Sequence, residues 1–173
     1  MSEVVWESLY QRAIEHLTLT DSGGRIRAES VIGAEQFGLR YSIDCDARWN
    51  FERAEIVCGQ RRLEIRRSGP EWRVNRDERH DLRECTEIDI AATPFTNTLP
   101  IRRLQIPIGE ERVIAVVYIK PPELEVSRMQ QRYRRIDALR YAYSGGGDYT
   151  ITVDADGLVT DYPPWFRRIP STS

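Results

Sequence analysis

Apolar and polar residues alternate along most of the chain with a period of two. In YSIDCD, Tyr41, Ile43 and Cys45 share one face while Ser42, Asp44 and Asp46 share the other. LEIRR sets Leu63 and Ile65 against Glu64 and Arg66, and YTITVD sets Tyr149, Ile151 and Val153 against two threonines. Such alternation marks half-buried antiparallel strands. Short turn signals punctuate them: CGQ at 58–60, SGP at 68–70, IGE at 108–110 and GGG at 145–147. In VDADGLV, Asp156-Gly157 suits the positive φ angles of a type I′ turn between two short strands. The pattern predicts a long meander of hairpins.

Three stretches depart from it. WESLYQRAIEHL carries Trp6, Leu9, Tyr10, Ala13, Ile14 and Leu17 at helical spacing, yet EHLTLT alternates, which predicts a strand from about residue 14 preceded by a turn of helix. VIAVVYI, 113–119, is apolar on both faces, so something must pack inside the sheet. TPFTNTLPIRRL, 93–104, supplies the candidate. Asn97 or Thr98 can cap a helix, Pro100 fits within a first turn, and Ile101 and Leu104 then share a face. The spacing predicts a short helix from about 97 to 105, enclosed by the sheet, with Leu104 in the core.

The first-turn N–H groups of that helix, beside Thr96, Asn97 and Thr98, would form a donor-rich end suited to an anion or a sugar hydroxyl. The competing reading is that these side chains only satisfy the helix end. Arg102 and Arg103 point about 100° apart on a helix, so at least one is expected to be enclosed and paired. Asp89 and Asp161 are the favoured partners, with Asp44 and Asp46 also within the alternating strands. The pair reads either as an internal salt bridge or as a cationic handle at a ligand cavity.

Composition narrows the function classes. The chain has 173 residues, enough for one domain, 1–173, burying roughly 70% of its unfolded surface. A formal charge of -2 with no basic arm argues against nucleic acid. The N-terminus lacks the pattern of a signal peptide and no apolar run is long enough for a membrane span, so the expected location is cytoplasmic. Cys45, Cys58 and Cys85 have no CxxC spacing and read as buried free thiols. His16 and His80 belong to no metal motif, and no cofactor is expected.

TPFTNTLPIRRL with its following strand, MQQRYRRID, RYAYS and the closing DADGLVTDYP resemble the bacterial family described as "putative glycolipid-binding", whose fold is called a spiral β-roll. YSIDCDARW and the EWRV…IDI stretch extend the resemblance to roughly residues 15–169. It implies a mainly β, single-domain antiparallel β-roll, an unclosed barrel of many short strands wrapped around one short α-helix. It also implies a glycolipid or other amphiphile held in the concave interior without catalysis. The motif positions here are Phe95, Thr96, Asn97, Thr98, Leu99, Pro100, Arg102, Arg103 and Leu104, then Gln131, Tyr133, Tyr143, Asp161, Tyr162 and Pro163. Of these, Asn97, Thr98, Arg102, Arg103, Tyr133, Tyr143, Asp161 and Tyr162 are the expected ligand-binding residues.

Arginine would read a phosphate or carboxylate head and tyrosine faces would stack on sugar rings. The alternatives are a ligand-free protein that self-associates into a homodimer through YPPWF, 162–166, and an enzyme using Asp161 or Asp89 with Tyr133 or an arginine. No nucleophile–base pattern, phosphate loop or metal motif supports the enzyme.

Overall fold

The computed structural model describes residues 1–170. The alternating segments form β1 (Ser2–Ser8), β2 (Ala13–Asp21), β3 (Arg25–Ala34), β4 (Gly38–Asp46), β5 (Phe51–Cys58), β6 (Arg61–Ser68), β7 (Glu71–Val74) and β8 (Asp77–Glu78). A short 3-10 turn, His80–Leu82, leads to β9 (Cys85–Ile90) and the helix α1 (Phe95–Leu104). Then come β10 (Glu111–Lys120), β11 (Glu125–Arg135), β12 (Arg140–Ser144), β13 (Asp148–Val153), β14 (Val159–Tyr162) and β15 (Phe166–Ile169).

All fifteen strands belong to one sheet, not closed into a barrel. β1 to β8 form one antiparallel meander and β10 to β15 another, joined in the middle of the sheet where β1 pairs antiparallel with β15. β9 is the exception, pairing parallel with β10. A parallel pair needs a crossover connection, and α1 is that crossover. The two sheet edges, β8 and β9, are therefore neighbours in the chain. Side chains tie the β9 edge to the other flank of the roll: Trp72 Nε1 donates to the Cys85 carbonyl at 3.2 Å and Arg67 Nη1 to the Thr86 carbonyl at 3.0 Å.

The helix fills the space the sheet wraps. Phe95 and Leu99 pack into the larger apolar cluster with Ile43, Ile56, Ile65 and Trp72. Ile101, with Leu104 beside it, packs into a second cluster with Tyr133, Tyr141, Ile151 and Val159. A third helix face carries Thr96 and Arg103, which meet Asp89 and Glu87 of β9. β10 explains its apolar sequence in the same way: Ala115, Val117 and Ile119 face the first cluster, and Ile114 and Val116 the second.

Several sequence expectations need correction. No helix precedes β2: Val4 and Trp6 turn inward from one strand, Glu15 and Leu17 from the next, and the helical spacing came from the hairpin turn between them. α1 begins two residues early, so Pro100 lies beyond the first turn, where its missing N–H leaves the Thr96 carbonyl without a helical donor. Neither Asn97 nor Thr98 caps; Pro94 is the N-cap residue, and Thr93 Oγ1 accepts the Phe95 N–H at 3.0 Å. Leu104 is half-buried rather than central, because it sits at the helix exit.

The last hairpin turns over residues 154–158, not over two residues. Gly157, at φ 77°, is the one residue of that loop with positive φ, and its N–H donates to the Asp154 carbonyl at 3.0 Å. This is a type I turn closed by a left-handed glycine. YPPWF is no exposed aromatic patch, since Tyr162 and Phe166 are buried and Trp165 is half-buried. The three cysteines are free and buried as expected.

Candidate functional site: a tyrosine cleft at the helix entry

Clefts open at both ends of α1. At its N-terminal end is a cleft of about 230 Å³. Tyr10, Tyr118, Tyr149 and Trp165 line its more open part, and Tyr143, Tyr162 and Phe166 are buried in its wall. The rings brace one another edge to face: Tyr10 meets Trp165 at 5.0 Å between centroids, and Tyr143 and Tyr149 meet Tyr162 at 5.9 and 5.8 Å. Such pairs add about 0.5–1.5 kcal/mol each beyond burial, which holds the walls in place. The GGG run belongs to this wall. A Cβ at Gly145 would collide with the Tyr143 hydroxyl, and one at Gly147 with the Tyr149 hydroxyl.

Polar groups are gathered at the floor, where Asp89, Thr93 and Asn97 line the cleft. Asp89 Oδ1 accepts from Thr96 Oγ1 at 2.8 Å and Oδ2 from Gln131 Nε2 at 2.6 Å. Desolvation raises its pKa, and these two donors only partly oppose the shift. Asn97 Nδ2 donates to the Tyr133 hydroxyl at 2.8 Å, which fixes the amide. Among the described residues lining this cleft none is a lysine or arginine, so its one formal charge is the Asp89 carboxylate.

Behind Thr93 lies a second buried acid. Glu15 Oε1 accepts from Ser30 Oγ at 2.7 Å, from the Tyr41 hydroxyl at 2.6 Å and from Thr93 Oγ1 at 2.9 Å, while Oε2 has no partner. Burial raises its pKa to about 7 against the three hydrogen bonds. Glu15 is thus a support of the floor and not part of its surface.

At the other end of α1, Arg103 Nε donates to Glu87, which is fully buried. The favoured partners Asp89 and Asp161 are not used. Asp89 is taken by Thr96 and Gln131, and Asp161 precedes the inward Tyr162 on β14, in register with Arg167 and Thr152. Asp44 pairs with Arg27, and Asp46 holds its own loop through Arg48 N and Asn50 N. Arg102 has no acid; its Nη1 donates to the Asp156 carbonyl at 2.8 Å and its guanidinium lies 4.9 Å over the Trp49 ring.

The expected binding residues therefore divide. Asn97, Tyr143 and Tyr162 line the tyrosine cleft, and Tyr133 stands directly behind Asn97. Thr98 is fully buried, its hydroxyl without a partner, and Asp161 does not line the cleft. Arg102 and Arg103 line a separate cleft at the helix exit. Sequence reasoning left out Glu15 and the aromatic residues Tyr10, Tyr118, Tyr149, Trp165 and Phe166, which come from strands and turns spread between residues 10 and 166. For Glu15 a signal existed: a carboxylate at the inward position two before Leu17.

No helix is long and apolar enough to cross a membrane, and no metal-binding cluster occurs among the described residues. The chain is similar to a crystallised DUF1089 family protein from Pseudomonas aeruginosa, with 30% identity and a TM-score of 0.78 over 91% of this chain and 92% of that one. No curated protein matches it. The family model described as "Putative glycolipid-binding" matches residues 3–168, and the chain belongs to that family.

Proposed function

We propose that the protein is a non-catalytic binding module that takes the neutral saccharide head of a glycolipid or similar amphiphile in the tyrosine cleft. The observation that carries this reading is the pairing of stacked aromatic walls with a floor of Asp89, Thr93 and Asn97. Aromatic faces pack on the apolar faces of a sugar ring while a fixed carboxylate and amide bond its hydroxyls. A volume of about 230 Å³ suits a head and not an acyl chain, since drug-sized ligands need about 300–1,000 Å³. The apolar tail stays outside, along the exposed Leu9, Tyr10 and Ile14 beside the cleft. The family description supports a glycolipid as the ligand class.

Calorimetric titration with octyl glucoside below its micellar concentration tests the reading. Saturable binding is expected, weakened at least about tenfold by Trp165→Ala or Tyr149→Ala. No binding of alkyl glycosides, or binding indifferent to both substitutions, overturns it.

The raised pKa of Asp89 in a cleft favours one second reading, glycoside hydrolysis. That chemistry uses two carboxyl groups flanking the scissile bond, and Asp89 is the single acid lining this cleft. Turnover of nitrophenyl glycosides, abolished by Asp89→Asn, would establish it in place of simple binding.

A further inference from the structure

The cleft at the helix exit differs in chemistry from the tyrosine cleft. It encloses about 660 Å³ and is lined by Arg48, Arg102, Arg103 and Arg135, with Trp49 and Tyr141 beneath two of them. Acids do not balance these cations. Among the described residues, Arg48, Arg102 and Arg135 form no ion pair, although most arginines with an acid in reach make one. Arg135 donates to the carbonyls of Ile106, Asp137 and Ala138. Asp154, the acid lining the cleft, is held by Arg168 at 2.7 Å.

Arg103 pairs with the buried Glu87, and a second guanidinium, Arg67, lies near enough to feel both charges while donating to the Thr86 carbonyl. Arg103 Nη2 and Arg67 Nε are both buried donors without partners. Glu87 accepts from Arg103 and from Thr86 Oγ1, and these guanidinium N–H groups stay unused. A helix C-terminus carries only about half a negative charge, which Arg103 alone would offset, so the excess needs another explanation.

Arg102 is also built into position. A Cβ at Gly157 would come 2.9 Å from its Cδ, so the absence of a side chain there lets the arginine stem lie against the turn. Trp49 supports the guanidinium from below and adopts φ 65°, a conformation uncommon for a bulky residue. Gln105, also on this cleft, has φ 44°. Backbone held in sparsely populated regions clusters at binding sites.

We infer that this cleft is a second binding site, for a phosphate monoester, with Arg102 and Arg103 as its principal donors and Arg48 and Arg135 supplying the surrounding positive field. A dianionic tetrahedral oxyanion matches several guanidinium groups approaching from different elements, where a monocarboxylate would satisfy one fork. The phosphate could be carried by a soluble metabolite or by a lipid head, and the chemistry recognised is the same.

Titration of the full chain with inorganic phosphate and glycerol 3-phosphate, followed by calorimetry with acetate as the comparison ion, tests this. Saturable binding of both phosphates, stronger than acetate, is expected. Arg102→Met should weaken it at least about tenfold while leaving octyl glucoside binding unchanged. Should Arg102→Met fail to fold, Arg48→Gln, an exposed position, is expected to weaken phosphate binding in the same direction. Sedimentation with phosphatidic acid vesicles separates the sources: Arg102-dependent capture assigns the site to a lipid head, and glycerol phosphate binding without capture assigns it to a soluble monoester. The inference fails if neither phosphate binds, if acetate binds equally well, or if the substitutions leave phosphate binding unchanged.

Discussion

Glu15 Oε1 and Thr93 Oγ1 lie 2.9 Å apart and are separated by 78 residues of chain. This bond fastens the inner face of β2 to the segment that starts the helix, and Thr93 passes it on by accepting the Phe95 N–H. The position of the cleft floor therefore depends on an acid that does not line the cleft.

That acid makes stability depend on pH. Its pKa is about 7 in the folded protein against an ordinary 4.5. Below 4.5 both states hold the proton; between 4.5 and 7 the unfolded chain releases it while the folded chain keeps it. Stability from this group is thus fully present at low pH and lost as pH rises to about 7, on the order of 3 kcal/mol in all. Asp89, also raised, adds a loss of the same sign. Thermal unfolding of Glu15→Gln across this range should show a flatter pH profile than wild type; an unchanged profile would assign the dependence elsewhere.

The helix leucines should separate by depth. Leu99 is fully buried against the first cluster, and Leu99→Ala should cost roughly 2–5 kcal/mol. Half-buried Leu104 loses less area, and Leu104→Ala should cost about 1 kcal/mol. Chemical denaturation measures both, and equal losses would contradict the placement.

In the last hairpin the sensitive acid is Asp154, not Asp156. Asp154 Oδ1 accepts the N–H groups of Asp156 and Leu158, and Oδ2 accepts from Arg168, whereas the Asp156 carboxylate makes no hydrogen bond in the structure. Asp154→Ala should destabilise by about 1–3 kcal/mol and Asp156→Ala by less than about 0.5 kcal/mol. Gly157→Val combines a φ of 77° with the Arg102 contact and should exceed both as judged by urea midpoints.

The Glu87–Arg103 pair allows a double-mutant test. Glu87→Gln leaves the half-buried Arg103 guanidinium without its acid and should cost about 3–5 kcal/mol. Adding Arg103→Met removes one stranded cation and should recover part of that loss. If the double mutant is no more stable than Glu87→Gln alone, the pair is not coupled as its geometry requires.

Local pattern carried the strands. Tyr41, Ile43 and Cys45, and Leu63 with Ile65, face inward as their alternation demands. The two-sided burial of β10 was equally plain, because Ala115, Val117 and Ile119 on one face and Ile114 and Val116 on the other leave no polar face for solvent. What local pattern could not carry was partnership across the fold. On β9 one face holds both Glu87 and Asp89, and the choice between them for Arg103 depends on where along the strand the helix crosses. Capping logic misplaced the helix start because Asn97 and Thr98 are good capping residues, whereas Asn97 is drawn to Tyr133 and Thr98 is buried within the helix. The cleft rim was hidden for the same reason, since Tyr10 and Trp165 meet through the β1–β15 pairing.

That pairing also orders events in time. During synthesis the whole β1–β8 meander emerges before α1, and its contacts are local, so it can form early. Its inner face is then incomplete: Glu15 waits for Thr93, and the Trp6 indole waits for the Val159 carbonyl, which it meets at 2.7 Å. The acid stays hydrated and ionised until the segment carrying Thr93 arrives with the helix. Expulsion of water from Glu15 is accordingly a late step of folding, one whose rate alkaline conditions should slow.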